Sequence, residues 1–325
     1  MSMLLPPFEL HEPTSIKEAL ALKAAHPDSD WLAGGTDLLP NYKWGVNTKP
    51  HVISLARIAE MHELTATRIG ARVTLAQIEK SGLLAEHLPV LPKTARLIAT
   101  PLLRASGTLG GNLLLENRCF FFNQTYLWRK SKDFCLKADG TQCHVIPQKE
   151  VCYATFSADL PASLIALDAT LHLASASQGE RAMPLRDFYH GDGIERNVRA
   201  DDELVTHVSL PEGAPQWLAT YHKLRLRDSF DFPELGVAAA VKMRGDGAVD
   251  DLRLVINAVE TTPVILDDLK EHLNEGLTPE AIATVADAAT QRVRPVKNTN
   301  LPPSYRKQMV GVFTKRALNE LASHT

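Results

Sequence analysis

The chain has 325 residues, 45% apolar and 22% charged, with a formal net charge of −3 and a pI near 6.5. At roughly 150 residues per domain this length predicts two domains, large enough to bury a core without disulfides or metals. The near-neutral charge excludes a global basic field for nucleic acid, the composition excludes a disordered chain, and no run reaches the ~18 consecutive apolar residues of a membrane helix. The start, Met1-Ser-Met-Leu-Leu-Pro-Pro, lacks the basic and long apolar regions of a secretory signal, so a cytoplasmic protein is expected.

In chain order, residues 15–26 have the pattern of an amphipathic helix, with Ser15 as N-cap and Glu18 completing a capping box. Trp31-Leu32-Ala33 reads as a short strand, Gly34-Gly35 as a turn, and Thr36 or Asp37 as the cap of a following helical turn. Val52 to Leu55 is a strand, and Arg68 to Leu75 alternates like one, with Thr74 ahead of a helix at 75–85. Pro89 to Leu103 has a helical pattern interrupted by Pro92 and Pro101. A long loop runs from about Leu113 to Tyr153, and Leu160 to Ala174 follows as an apolar helix or strand pair.

A second block starts near Pro211. Trp217–Arg227, Gly236–Arg244 and Val249–Val259 read as three successive strands, with Gly245-Asp246-Gly247 as a hairpin turn. Helices at Thr278–Arg292, capped by Thr278, and Pro303–Ala322 complete it. Strands followed by helices predict an α+β module, an antiparallel sheet with helices on one face.

All four cysteines, Cys119, Cys135, Cys143 and Cys152, lie in the long loop, separated by 15, 7 and 8 residues. Reduced thiols in a cytosolic protein disfavour disulfides. Zinc sites usually present close C-x2-4-C pairs, which are missing here, whereas thiolates from separate points of a loop can each take one iron of a cubane. An iron–sulfur cluster, zinc and coincidence all remain open on spacing alone. Phe120, Phe121, Phe122, Tyr126, Trp128, Phe134 and Tyr153 surround the cysteines and would exclude water from a cluster or pack a satellite core.

Two segments set glycines beside hydroxyl and amide side chains: Ala33-Gly34-Gly35-Thr36-Asp37-Leu38 and Gly107-Thr108-Leu109-Gly110-Gly111-Asn112. Successive N–H groups in such turns form anion-binding nests, and a helix starting just afterwards adds its positive end. From His87 to Leu115 there is no acidic side chain, while Lys93, Arg96 and Arg104 are present, which suits a diphosphate. The dinucleotide G-x-G-x-x-G, the Walker A loop, H-E-x-x-H and G-x-S-x-G are all missing. The twelve histidines are scattered, each expected at the surface or in the core, with His144 beside Cys143 the one to watch.

AGGTDL (Ala33–Leu38) and TLGGN (Thr108–Asn112), with Arg104 four residues before Thr108, resemble the FAD-binding subunit of the xanthine oxidase family of molybdenum hydroxylases. The stretch FFFNQTYLWRK…FCLK…QCHVI…CYATFSADLP resembles one branch of that family, the 4-hydroxybenzoyl-CoA reductases, whose flavin subunit carries an extra 4Fe-4S cluster in an inserted loop. The likeness extends over the whole chain, including HKLRLRDSFDFP at His222–Pro233; Thr100-Pro101-Leu102-Leu103 departs from it.

The resemblance implies a two-part FAD-binding domain at 1–212, divided near residue 57, with the cluster loop at about 113–153, and a C-terminal α+β domain at 213–325. It implies that Leu32, Ala33, Gly34, Gly35, Thr36, Asp37 and Leu38, with Gly107, Thr108, Gly110, Gly111 and Asn112, cradle the FAD. Asp159 would bond its sugar portion and Lys223 would lie near the flavin ring. Cys119, Cys135, Cys143 and Cys152 would hold the 4Fe-4S cluster. The implied partners are a large subunit with the molybdenum cofactor and a small subunit with 2Fe-2S clusters, in a dimer of heterotrimers without nucleic acid or membrane. No residue of this chain would be catalytic. Electrons from a ferredoxin-like donor, attracted by Arg129, Lys130, Lys132 and Lys137, would pass through the cluster and FAD for reductive dehydroxylation of 4-hydroxybenzoyl-CoA to benzoyl-CoA. The alternatives are another molybdenum hydroxylase oxidising an aldehyde or N-heterocycle, and a zinc-stapled scaffold without redox activity.

Overall fold

In the computed structural model, which describes residues 4–324, the buried β-branched pair Val52 and Ile53 forms the middle of a small parallel sheet. Its elements are β1 (Glu9–His11), α1 (Ile16–Ala25), β2 (Ser29–Leu32), α2 (Leu38–Lys43) and β3 (His51–Ser54), with strand order β1-β3-β2. Ser15 caps α1 by accepting the Glu18 N–H at 3.2 Å. The expected capping box closes differently: the Glu18 carboxylate accepts the Thr14 N–H at 2.7 Å instead of turning to Ser15. Parallel strands need crossovers, and the ligand position they create lies beyond their carboxyl ends. Here that position is the Gly34-Gly35 turn after β2.

The next layer comprises β4 (Arg68–Gly70), α3 (Leu75–Lys80), α4 (Gly82–His87), α5 (Val90–Arg96), α6 (Pro101–Ser106), α7 (Leu109–Leu113), α8 (Tyr126–Lys130), α9 (Leu160–Ala166), β5 (Thr170–Ser175), β6 (Gly179–Pro184) and β7 (Leu204–Ser209). Its antiparallel sheet runs β4-β7-β5-β6. The strand expected over 68–75 stops at Gly70, where a Cβ would meet the Met61 carbonyl oxygen at 2.2 Å and the chain must turn. The helix expected over 75–85 is two helices, because Ser81 ends α3 and its hydroxyl caps α4, accepting the Leu84 N–H at 3.2 Å. Pro92 does not break its helix: it sits in the first turn of α5, where no intrahelical N–H is required. The break comes at Ala99, with φ of 48°, and Pro101 then opens α6 at the first helical position. After α9, Asp168 at φ 61° reverses the chain into β5, so the Leu160–Ala174 segment is a helix followed by a strand.

The C-terminal layer contains β8 (Leu218–Leu224), β9 (Leu235–Met243), β10 (Val249–Asn257), β11 (Val264–Ile265), α10 (Pro279–Arg292) and α11 (Pro303–Ala322). The three expected strands are present, antiparallel, and the two-residue β11 adds a fourth at the β10 edge. Gly247, at φ 84°, makes the β9–β10 turn. The first seven residues of β9 are all buried, which explains the run Leu-Gly-Val-Ala-Ala-Ala-Val: both faces of this central strand are covered and small side chains let the layers approach. Ala238, Ala240, Tyr221 and Val255 face the core shared with the first two layers, under α5 and α9. Leu235, Val237, Ala239 and Val241 face a second core closed by α10 and α11. The fully buried Arg306 of α11 donates to the carbonyls of Glu234 and Val296 and to Asn298 Oδ1, fixing the segment around Asn298.

Candidate functional site

A cleft of about 1130 Å³ opens where the three sheets meet, walled by both glycine segments, by Asp159 and by the Phe230–Pro233 turn. Gly34 is required by contact, since a Cβ there would lie 1.9 Å from the Ser106 carbonyl oxygen, one residue before Gly107. Gly35 is required by conformation, at φ 70°. The two glycine segments therefore pack against each other at the cleft floor. Backbone N–H groups of Gly34, Gly35, Thr36 and Asp37 make no hydrogen bond among the described residues and are available to an anion. The second segment is different. Leu109, Gly110 and Asn112 donate to the carbonyls of Val73, Ala71 and Thr108, and Gly111 to the Thr108 hydroxyl at 3.1 Å. Its contribution is close approach and shape more than free donors.

Of the residues expected around the cofactor, Ala33, Gly34, Gly35, Thr36, Asp37, Leu38, Gly107, Thr108, Gly110, Gly111, Asn112 and Asp159 line the cleft. Leu32 and Lys223 are not part of its wall among the described residues. Leu32 packs beneath Gly35, and Lys223 lies behind Asp159, its side chain 1% exposed. Lys223 Nζ donates to Asp159 Oδ2 at 3.1 Å and to the Leu97 carbonyl at 3.1 Å, and the Tyr221 hydroxyl donates to Asp159 Oδ1 at 2.8 Å. Burial pushes the Asp159 carboxyl up and the Lys223 ammonium down, against their mutual attraction. Asn112 Oδ1 accepts the Leu160 N–H at 3.1 Å, which holds the start of α9, and with it Asp159, against the second glycine segment.

The four cysteines are buried, unbonded to one another, and line a single apolar pocket with Phe121, Phe122, His144 and Val145. Backbone N–H groups near three of the sulfurs, those of Phe121 and Phe122 by Cys119, Lys137 and Ala138 by Cys135 and Ala154 by Cys152, favour the thiolate against burial. Such donors stabilise thiolates, the form that ligates metal. Burial, the larger effect in the metal-free chain, pushes the Cys119 thiol up to about 12 and Cys152 up to about 11. A tetrahedral zinc with Zn–S bonds near 2.3 Å needs sulfurs about 3.8 Å apart. No three of these sulfurs lie within 4.8 Å of one another among the described residues. Four thiols around one apolar pocket form a donor set for a metal centre, and they are not gathered as tightly as a single zinc ion requires.

Cys119 belongs to the walls of both the cysteine pocket and the cleft. The residue before it, Arg118, pairs with Asp37 of the first glycine turn and stacks its guanidinium 4.4 Å over the Phe232 ring. Burial lowers Arg118 to about 10. A second buried ion pair anchors the loop. Lys137 and Arg196 flank Glu116, outweighing the effect of burial and holding its carboxyl below the ordinary value. These partners were not evident from sequence spacing, since Arg196 and Phe232 are far along the chain; the aromatic HKLRLRDSFDFP run was the available signal for Phe232. The basic cluster expected on the loop divides in two. Lys130 and Lys132 are exposed, whereas Arg129 is buried, donating to the carbonyls of Trp44 and Gly45, and Lys137 is buried against Glu116. Those two are structural and are removed from any docking surface.

Residues 6–213 match the model of the FAD binding domain in molybdopterin dehydrogenase, and residues 219–321 that of the CO dehydrogenase flavoprotein C-terminal domain. The chain belongs to the FAD-binding medium subunits of the molybdenum hydroxylase family. It is 28% identical to the carbon monoxide dehydrogenase medium chain of Hydrogenophaga pseudoflava over 323 residues, 98% of each chain. It is 23% identical to the xanthine dehydrogenase FAD-binding subunit of Escherichia coli O157:H7, over 95% of this chain and 94% of that one. It is 27% identical to the nicotinate dehydrogenase FAD-subunit of Eubacterium barkeri, over 95% of this chain and 94% of that one. Among solved structures, the carbon monoxide dehydrogenase of Hydrogenophaga pseudoflava superimposes with a TM-score of 0.78 at 27% identity, covering 98% of this chain and 99% of that one. Quinoline 2-oxidoreductase of Pseudomonas putida 86 gives 0.79 at 22% identity, covering 99% of each chain, a likeness of fold. This flavin subunit is thus an oxidoreductase component whose α+β architecture is that of its family. No helix among its described residues is long and apolar enough to cross a membrane.

Proposed function

We propose that this subunit carries electrons between FAD in the cleft and a 4Fe-4S cluster held by Cys119, Cys135, Cys143 and Cys152. The observation that supports the reading is that Cys119 lines both cavities, so that as a cluster ligand it would also stand in the wall of the flavin cleft. FAD supplies exchange of one or two electrons, which couples one-electron carriers to a two-electron reaction. The chain's own residues do the holding. Gly34 to Asp37 present free N–H groups to the diphosphate, Gly107 to Asn112 set the depth of approach, and Asp159 offers a carboxylate oriented by Lys223 and Tyr221. In this reading Lys223 acts through Asp159 rather than by touching the flavin. The division into an FAD-binding domain over 1–212 and an α+β domain over 213–325 follows the boundary before β8.

The substrate chemistry belongs to a large subunit with the molybdenum cofactor, and electrons reach FAD through the 2Fe-2S clusters of a small subunit. Relatives named for carbon monoxide, xanthine and nicotinate favour an oxidising enzyme, with an aldehyde or N-heterocycle as substrate and electrons leaving by the 4Fe-4S cluster. The four-cysteine loop supports a second reading, reductive dehydroxylation of 4-hydroxybenzoyl-CoA with electrons from a ferredoxin-like donor entering at the cluster. Anaerobic mixing of the intact complex separates them. Bleaching of the flavin band by an aldehyde or N-heterocycle supports the first reading. Reoxidation of pre-reduced flavin by 4-hydroxybenzoyl-CoA supports the second. A purified complex without flavin would overturn both.

A further inference from the structure

Three histidines that are distant in sequence meet across β1 and β3 of the N-terminal sheet. His11 ends β1, His51 begins β3, and His26 follows α1 as its C-cap. Parallel pairing sets Glu9 opposite His51 and His11 opposite Ile53, so His11 lies two positions further along the neighbouring strand. One ring nitrogen from each histidine falls within 4.8 Å of the others, making them the one group of three or more potential ligands found among the described residues. We infer that His11, His26 and His51 form a three-imidazole binding site for a divalent cation of the zinc class, separate from the cleft and the cysteine pocket.

The spacing of the three imidazoles suits such an ion. Zinc–nitrogen bonds of about 2.0–2.1 Å require nitrogens roughly 3.3 Å apart. His11 Nε2 lies 3.2 Å from His51 Nδ1, and His51 Nδ1 lies 3.4 Å from Glu9 Oε2. The His26 ring is 4.6 Å from that of His11 and 4.2 Å from that of His51, centroid to centroid, with a ring nitrogen within 4.8 Å of theirs. Each imidazole must present a lone pair, so the His11–His51 hydrogen bond is exchanged for two metal–nitrogen bonds and its proton moves to the outward nitrogen of the donating ring. His26 sits at the C-terminal end of the ten-residue α1, whose dipole favours positive charge there. Imidazole donors without thiolate select zinc-class ions over calcium or magnesium. The three imidazoles come from β1, the end of α1 and β3, so a bound ion joins these elements and keeps a fourth position for water.

The test uses the full chain with its FAD, titrated with Zn²⁺ by equilibrium dialysis, with His51→Asn, His26→Gln and Cys143→Ser compared with wild type. The site predicts one zinc equivalent that Cys143→Ser retains and both histidine variants lose, with a rise in melting temperature on zinc addition confined to proteins that bind it. Zinc uptake unchanged in both histidine variants, or no uptake beyond the cysteine pocket, would overturn it. Should either histidine variant fail to fold, Cu²⁺ added to the wild type decides: nitrogen hyperfine structure in the EPR spectrum supports the site, and its absence refutes it.

Discussion

The Asp37 carboxylate in the first glycine turn is paired with the guanidinium of Arg118, the residue immediately before Cys119. This contact ties the wall of the cleft to the start of the cysteine loop, so disturbance of either cavity should be felt in the other. Replacing Arg118 with Met leaves Asp37 three-quarters buried without its partner, a loss of about 3 kcal/mol. The expected outcome is coordinate loss of FAD and iron from the purified protein, measured by flavin absorbance and metal analysis. Loss of one with full retention of the other would show that the two cavities are independent.

The Asp159–Lys223 pair is buried on both sides, with side chains 3% and 1% exposed. Asp159→Asn strands the ammonium beside the Leu97 carbonyl and should destabilise the chain by about 3–5 kcal/mol in urea unfolding. Adding Lys223→Met to it should recover most of that loss, because the unpaired charge is then gone. Additive effects of the two substitutions would contradict coupling.

Gly34→Ala places a methyl group against the Ser106 carbonyl at 1.9 Å, between the two glycine segments. Backbone must move, at a cost of about 1–3 kcal/mol. The variant should lose FAD on gel filtration, whereas Gly213→Ala, which meets nothing within 4 Å, should keep it.

His172 and His207 stack with centroids 3.9 Å apart, and Arg68 donates to His207 Nε2 at 2.8 Å. Burial first, then His172 and Arg68, lowers His207 from 6.5 to about 4. The unfolded chain therefore takes up a proton that the folded chain refuses. Its contribution to stability is full above pH 6.5 and falls as pH drops towards 4. His207→Gln should flatten the melting temperature across that window, and an unchanged slope would contradict the assignment.

On the cysteine loop, Lys130→Glu with Lys132→Glu alters an exposed face and should slow electron exchange with an acidic carrier, with weaker salt dependence and unchanged stability. Arg129→Glu should instead unfold the loop, since its guanidinium holds the carbonyls of Trp44 and Gly45. Equal effects of the two changes on uptake, without loss of stability, would contradict this division.

Local signals in the sequence carried far. Ser15, Thr278, the Gly245-Asp246-Gly247 turn and the three strand segments that became β8 to β10 act within a few residues of themselves, and each is found in its expected element. The glycine turns were legible because only glycine permits the approach to Ser106 or the φ of Gly35. Ser81 shows the limit: a residue that ends one helix and caps the next carries the same local pattern as one inside a continuous helix. β6 and β7 went unseen because their mixed patterns are stabilised by pairing with β5. The partners of Lys223, Asp159 and the Leu97 carbonyl, were not legible because they come from distant segments, and the His11–His26–His51 cluster was hidden because strand pairing, not spacing, brings His11 and His51 together.

The most direct measurement is iron, sulfide and flavin content of anaerobically purified protein, with the low-temperature EPR spectrum of the reduced state. The proposed assignment requires about four irons, four sulfides and one FAD per chain, with the cluster signal lost in Cys119→Ser. FAD together with zinc in the cysteine pocket, and no iron, would contradict it.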